Sequence, residues 1–176
     1  YETFIKIFDT EISTRTVKAL KIFGDKTGIN GMLGGQSADV LHTGEVISDE
    51  LLYYIYEKKT GALIEGAMLT GSVLAGCNDE DLAKIKRVGE LVGLAFQIKD
   101  DILDIYGNEK EIGKPLHSDE KNNKKTYITI NGIEKSEHDI VVMSEEACDI
   151  VSSLGNDVEE RDFIIKLIKY LTDRTY

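Results

Sequence analysis

The sequence predicts an all-α protein. Apolar residues recur with helical spacing almost from end to end, and sixteen glycines stand against a single proline and no tryptophan. Capping residues also sit where several periodic segments begin. A chain so poor in proline permits long uninterrupted helices, and few strand-and-turn units could fit such a composition. At 176 residues, 41% of them hydrophobic, it is long enough for one domain with a buried core.

In chain order, Phe4, Ile7 and Phe8 open a helical pattern that resumes at Val17, Leu20 and Phe23 beyond a polar stretch, Thr10 to Thr16. Gly28, Gly31, Gly34 and Gly35 lie among Ile29, Met32 and Leu33. No strand precedes them and their spacing fits neither the dinucleotide fingerprint nor the P-loop, so close helix packing accounts for them better. Ser48 is an N-cap candidate, with Asp49 and Glu50 complementing the positive end of the helix dipole, and a helix can run from there to about Ala75. Glycine repeats in its second half at 61, 66, 71 and 76. Each costs a helix about 1 kcal/mol relative to alanine, which asks for close approach of a neighbouring helix or a bulky ligand.

After a polar turn, Cys77 to Glu80, a further helix is expected from about Asp81 to Tyr106. Gly107 to Lys125, rich in glycine, lysine and asparagine, reads as a long loop. Thr126 to Ile130 is β-branched but has no partner strand, so it is expected to be helix or extended connector. Two amphipathic helices close the chain, about Ser136 to Leu154 and Asp157 to Asp173. Gly155 would end the first, and Asp157 with Glu160 resembles a capping box for the second.

Charge and composition exclude several functions. Thirty-two acidic residues against 21 basic ones give a net charge of −11, which rules out a protein that coats nucleic acid. Cys77 and Cys148 form neither a metal pair nor a disulfide framework and suit free thiols in a reducing cytoplasm. Tyr1-Glu2-Thr3 carries no start methionine or signal peptide, so the chain is expected to begin partway into a longer protein. The most apolar stretch, Gly61 to Gly76, contains Glu65 and falls short of the roughly 20 residues of a membrane helix.

The segment richest in chemistry runs from Phe96 to Tyr106. At about 100° per residue, Gln97, Asp100, Asp101 and Asp104 share an arc of about 100°, with Gly93 one turn earlier on the same stripe leaving space there. The rest of the circumference is apolar except for Lys99. By composition alone such a trio is a solvated face, but the apolar surround points to a buried helix with three carboxylates aimed at one place. Buried carboxylates repel each other and lose hydration, and no arginine shares their stripe. A hard divalent cation would compensate them, and Mg²⁺ favours carboxylate oxygens, keeps several waters and shares itself with phosphates. Gln97 is equally suited to an ordinary hydrogen bond in the core.

Cations should then meet a metal-bound phosphate from elsewhere. Lys59 stands beside Thr60 and a small apolar run, Gly61-Ala62-Leu63-Ile64, where the helix would enter the interior. Lys114, Lys121, Lys124 and Lys125 lie in the long loop, where a lysine is more often solvated. An ammonium is a point-charge partner for phosphate, and Thr60 can donate a hydroxyl hydrogen bond.

With these residues in place, the chain resembles the C-terminal portion of the trans-isoprenyl diphosphate synthases, the farnesyl/geranylgeranyl (polyprenyl) synthase family. The resemblance runs through Gly34-Gly35-Gln36 with Asp39, Lys59-Thr60-Gly61-Ala62-Leu63-Ile64, and Phe96-Gln97 leading into Asp100-Asp101-Ile102-Leu103-Asp104. It continues through Gly113-Lys114-Pro115, Ser118-Asp119 and Lys124-Lys125-Thr126-Tyr127, and fades after about residue 132. It implies an all-α helical bundle of the isoprenoid synthase type, of which residues 1–176 would be an incomplete C-terminal portion. The implied activity is a Mg²⁺-dependent condensation of isopentenyl diphosphate with an allylic diphosphate, through ionisation to an allylic carbocation.

The same resemblance implies the roles. Asp100, Asp101 and Asp104 would be the second aspartate-rich motif and bind Mg²⁺, Asp100 most directly. Lys59 and Lys114 would grip the allylic diphosphate, while Thr60 and Gln97 would line the reacting centre. Lys124 would help close the loop over the diphosphates, and Asp39 would reach the metal through water. The chemistry agrees: breaking the allylic C–O bond is eased by cations that stabilise the leaving diphosphate, and the carbocation needs a dry cavity. The metal reverses the local sign, so an acidic site can bind an anion.

The family's first aspartate-rich motif, its Gly-Gly-Lys and its paired arginines have no counterpart here, and the usual basic ending is replaced by Thr172-Asp173-Arg174-Thr175-Tyr176. In the family, product length is set near that missing motif, so the resemblance leaves product length open. Two readings follow: the C-terminal portion of a prenyltransferase, or a catalytically incomplete helical subunit that binds Mg²⁺-diphosphate without turnover. The resemblance also implies a homodimer.

Overall fold

The computed structural model describes residues 2, 6, 12–107, 124–155 and 158–174, and the described residues include helices and no strand. Along the chain come α1 (Thr14–Thr27), α2 (Met32–Leu41), α3 (Asp49–Tyr56), a π-helical segment (Glu57–Gly61) and α4 (Ala62–Ala75). They are followed by α5 (Asp79–Tyr106), α6 (Tyr127–Asn131), α7 (Ile133–Ser152) and α8 (Val158–Asp173).

The run expected from Ser48 to Ala75 is present as α3, the π segment and α4. Ser48 caps it by accepting the Leu51 N–H at 3.2 Å. The π turn in its middle is the departure from an even helix, and such widened turns are frequently found at functional sites. α5 begins two residues earlier than expected because Asn78 is its cap, accepting from Asp81 N–H at 2.9 Å. Asp79, Glu80 and Asp81 therefore form the first turn, where acidic charge opposes the dipole, instead of a connecting turn. Thr126 and Thr129 cap α6 reciprocally, so this β-branched stretch is helical. Gly132, at φ +78°, turns the chain straight into α7, which starts at Ile133, ahead of the expected Ser136. Phe4, Ile7, Phe8 and the Asp157 cap lie outside the described residues.

α5 is the axle of the bundle. Its start packs Leu82 against Ala19, Leu69 and Val73, and its middle packs Val88, Leu91 and Val92 against Ala147, Val151 and Ile168. Nearer its end, Ala95, Ile98 and Ile102 meet Leu52, Ile55 and Tyr127. Each such aliphatic side chain contributes about 1.5–3 kcal/mol on full burial, so the helix carrying three clusters has little freedom to shift. No helix among the described residues is long and apolar enough to cross a membrane. Cys77 and Cys148 are free thiols.

The glycines divide by cause. A Cβ on Gly93 would stand 2.6 Å from the Gly61 Cα, so Gly93 brings two helix backbones into contact and does not, as its place on the stripe suggested, leave room for a ligand. A Cβ on Gly35 would run into the backbone of Lys58 and Lys59. Gly66 is similarly tight against Lys26, and Gly76 ends α4 in the left-handed region at φ +84°. Gly71, by contrast, faces open space.

Alanine at two of these positions should therefore act with opposite sign. Gly93→Ala is expected to destabilise by about 1–3 kcal/mol, since the Gly61 backbone cannot give way. Gly71→Ala should stabilise by up to about 1 kcal/mol through helix propensity. Urea unfolding midpoints moving in opposite directions would bear this out.

Candidate functional site

The close helix contacts set the site. Gly35 lies one turn before Asp39, so laying α2 against the π segment brings Asp39 to Lys59. Gly93 lies one turn before Gln97 and touches Gly61, next to Thr60; the Thr60 hydroxyl donates to Gln97 Oε1. Lys124, just ahead of α6, completes the group. Asp39, Lys59, Gln97, Asp100, Asp101 and Lys124 line one cavity of about 230 Å³, walled on its apolar side by Ile47, Leu52 and Ile55.

Asp39 is its electrostatic centre. It is buried, with Lys59 Nζ donating to Oδ2 at 2.7 Å and Lys124 Nζ lying 2.7 Å from Oδ1. Burial pushes the Asp39 carboxyl up, but the hydrogen bonds and charges of Lys124 and Lys59 together outweigh it and hold the group below the usual carboxylate range. Lys125 pairs with Asp49 and donates to Ile47 O at 3.0 Å. Lys114 and Lys121 lie outside the described residues.

Of the three aspartates of α5, Asp100 and Asp101 share the cavity wall but make different contacts, and Asp104 is not part of that wall. Asp100 is partly exposed and pairs with Arg174, whose guanidinium sits 3.8 Å from the Phe96 ring centroid. Asp101 is buried, its Oδ2 accepting from the Tyr56 hydroxyl and from Tyr127 N–H, the latter at 2.9 Å. Asp104 is buried one turn further on and is not part of the cavity wall. Successive residues diverge by about 100°, so Asp100 and Asp101 reach different neighbours. No arginine shares their stripe on α5, but Arg174 reaches Asp100 from the far end of the chain.

Among the described residues no three Asp, Glu, His or Cys side chains form a group that could hold a metal ion by themselves. The donors on the cavity wall nonetheless suit magnesium. They are hard oxygen ligands, one of them the accessible Asp100 carboxylate, and this ion commonly takes one or two carboxylates with the remainder from water and substrate phosphate. Two participants escaped the sequence reading. Nothing in the sequence marks Tyr56, and Arg174 belongs to an ending that reads only as a departure from the family pattern.

The protein is thus a helical bundle with lysines and carboxylates on the wall of one cavity, and solved isoprenyl diphosphate synthase structures share its all-helical fold. The chain belongs to the polyprenyl synthetase family, whose model matches residues 2–166. It is similar to the farnesyl diphosphate synthase of Bacillus subtilis (strain 168), 33% identical over 149 residues, which are 85% of this chain and 49% of that protein. The geranylgeranyl diphosphate synthase of Cyanophora paradoxa is 35% identical over 154 residues, 85% of this chain and 51% of that protein. The chain thus spans about half the length of these curated relatives. Among solved structures, a geranyltransferase from Helicobacter pylori complexed with magnesium and isoprenyl diphosphate superposes with a TM-score of 0.74 at 27% identity, covering 90% of this chain and 52% of that one. The geranylgeranyl pyrophosphate synthetase of Pyrococcus horikoshii, 23% identical with a TM-score of 0.78 over 93% of this chain and 61% of its own, shares the fold.

The depressed Asp39 carboxyl gives a pH signature. A carboxylate whose folded-state pKa lies below its unfolded value of about 3.9 stabilises the fold above that value and loses the contribution as pH falls toward the folded one. Asp39→Asn is therefore expected to lower the urea midpoint at pH 7, with the gap to wild type narrowing in acid below about pH 4.

Proposed function

We propose that this chain contributes the diphosphate-binding part of a trans-prenyltransferase active site, which joins isopentenyl diphosphate to an allylic diphosphate through an allylic carbocation. The observation that best supports it is the meeting of Lys59 and Lys124 on Asp39 in the cavity that Asp100 also lines, beside the Thr60–Gln97 hydrogen bond. Each ammonium has three N–H donors, so both lysines can keep Asp39 and still bind diphosphate oxygens. Lys114, carried over from the family pattern, is assigned to the same diphosphate. The names of the relatives support the reaction class, and the magnesium and isoprenyl diphosphate of the Helicobacter pylori structure support the ligand pair.

Magnesium would be held first by Asp100, the accessible carboxylate of the cavity wall, and would supply Lewis-acid stabilisation of the leaving diphosphate. Lys59 and Lys124 hold that diphosphate from the opposite side as the C–O bond breaks, adding fixed positive charge where negative charge develops. The Thr60 hydroxyl and Gln97 amide turn oxygen lone pairs toward the allylic cation. Ile47, Leu52 and Ile55 keep water from it, and the double bond of isopentenyl diphosphate attacks before a proton is lost. A homodimer, which the family resemblance implies, and a cytoplasmic location, which the free thiols suit, belong to the same reading; light scattering tests the dimer.

The test uses the full-length protein with Mg²⁺, an allylic primer and radiolabelled isopentenyl diphosphate. Elongated product supports the proposal; pyrophosphate binding without elongation favours a helical subunit that holds Mg²⁺-diphosphate without turnover. Asp100→Ala is expected to lower turnover about 10²–10³-fold. Its melting temperature should fall by only a few degrees, because a partly exposed ion pair contributes about 0–1 kcal/mol.

A further inference from the structure

We propose that Asp101 is a positioning residue, which anchors the chain where it returns to the site before α6 and thereby places Lys124. This rests on the reading of the cavity as a diphosphate site. Its Oδ2 accepts from two donors at once, the Tyr56 hydroxyl and Tyr127 N–H, and those donors are themselves in contact at 3.2 Å. Asp101, Tyr56 and Tyr127 are all buried, at 5%, 6% and 5% exposure. Tyr127 is held at its other end too, its hydroxyl donating to Asp139 at 2.6 Å while Tyr53 meets its ring edge-on at 6.0 Å. Asp101 is thus buried with Oδ2 already accepting from two donors, whereas Asp100 is partly exposed and held by an ion pair.

The geometry transmits that anchor to the site. Asp101 lies near the end of α5, and Tyr127 is the first residue of α6, so the carboxylate ties the return of the chain to the helix it left. Lys124 stands three residues before that tie, paired with Asp39, and Lys125 is fixed alongside it to Asp49 and the Ile47 carbonyl. A charge-assisted bond to a backbone N–H is among the stronger single contacts available.

A double-mutant cycle on the full-length protein separates this role from metal binding, read by titration with pyrophosphate in the presence of Mg²⁺ and by amide exchange at Tyr127. Asp101→Ala should weaken pyrophosphate binding about tenfold in the wild-type background, but less than about twofold when Lys124 is already alanine. Asp101→Asn keeps an acceptor for both donors, so it should retain the Tyr127 amide protection and most of the affinity. If Asp101→Ala does not fold, Tyr56→Phe takes its place and should show the same dependence on Lys124 with a smaller effect. Additive losses from Asp101→Ala and Lys124→Ala, or an Asn variant as damaged as the Ala variant while its Tyr127 amide stays protected, would overturn the proposal. Failure of the wild-type protein to bind pyrophosphate in Mg²⁺ would instead defeat the diphosphate reading, and unchanged Tyr127 exchange in Asp101→Ala would defeat the anchor by itself.

Discussion

Backbone contact at two glycines is the constraint from which the site follows. Gly35 lets α2 lie on the π segment, and Gly93 lets α5 touch Gly61; in both places a methyl group would meet backbone atoms that cannot move aside. Each glycine stands one helical turn before a site residue, Asp39 in the first case and Gln97 in the second. The approach that excludes a side chain at the glycine is therefore the approach that brings Asp39 to Lys59 and Gln97 to Thr60. The π turn contributes the remaining condition. Adding a residue to one turn changes the phase of the helix, so that neighbours Lys59 and Thr60 can serve α2 and α5 respectively.

The electrostatics follow from that packing. An acidic chain with a net charge of −11 has no long-range attraction for a diphosphate, so any affinity must be built locally. Lys59 and Lys124 share Asp39, and Arg174 covers Asp100, which leaves the cavity wall close to charge balance. A balanced wall of this kind holds its lysines in fixed positions, and their unused N–H donors can meet an anion without the entropy loss of ordering a free side chain.

Much of this is legible in the sequence because it rests on local rules. Helical spacing gives the all-α class, Ser48 marks the start of the long helical run, and Lys59, Asp100 and Asp101 stand out by type and spacing, while Asp39 is reached only through the family resemblance. What local rules miss is set by tertiary contact. The π turn at Glu57–Gly61 has no sequence signature, Gly93 looks like space until Gly61 is seen against it, and Gly71 matches its repeat yet touches nothing. Tyr56 and Arg174 reach the aspartates from 45 and 74 residues away, distances over which periodicity carries no information.

The aspartate trio shows how burial and magnitude, more than position on a helical wheel, decide what a carboxylate can do. The wheel counts Asp100, Asp101 and Asp104 as one arc, yet their surroundings differ. Asp100 is partly exposed and held by an ion pair, a contact contributing about 0–1 kcal/mol that a divalent cation and its phosphate can replace. Asp101 is buried between a tyrosine hydroxyl and a backbone N–H, and leaving such donors unsatisfied costs about 1–3 kcal/mol each. The same residue type, one position apart, is thereby divided between a partly exposed ion pair and a buried, doubly hydrogen-bonded carboxylate.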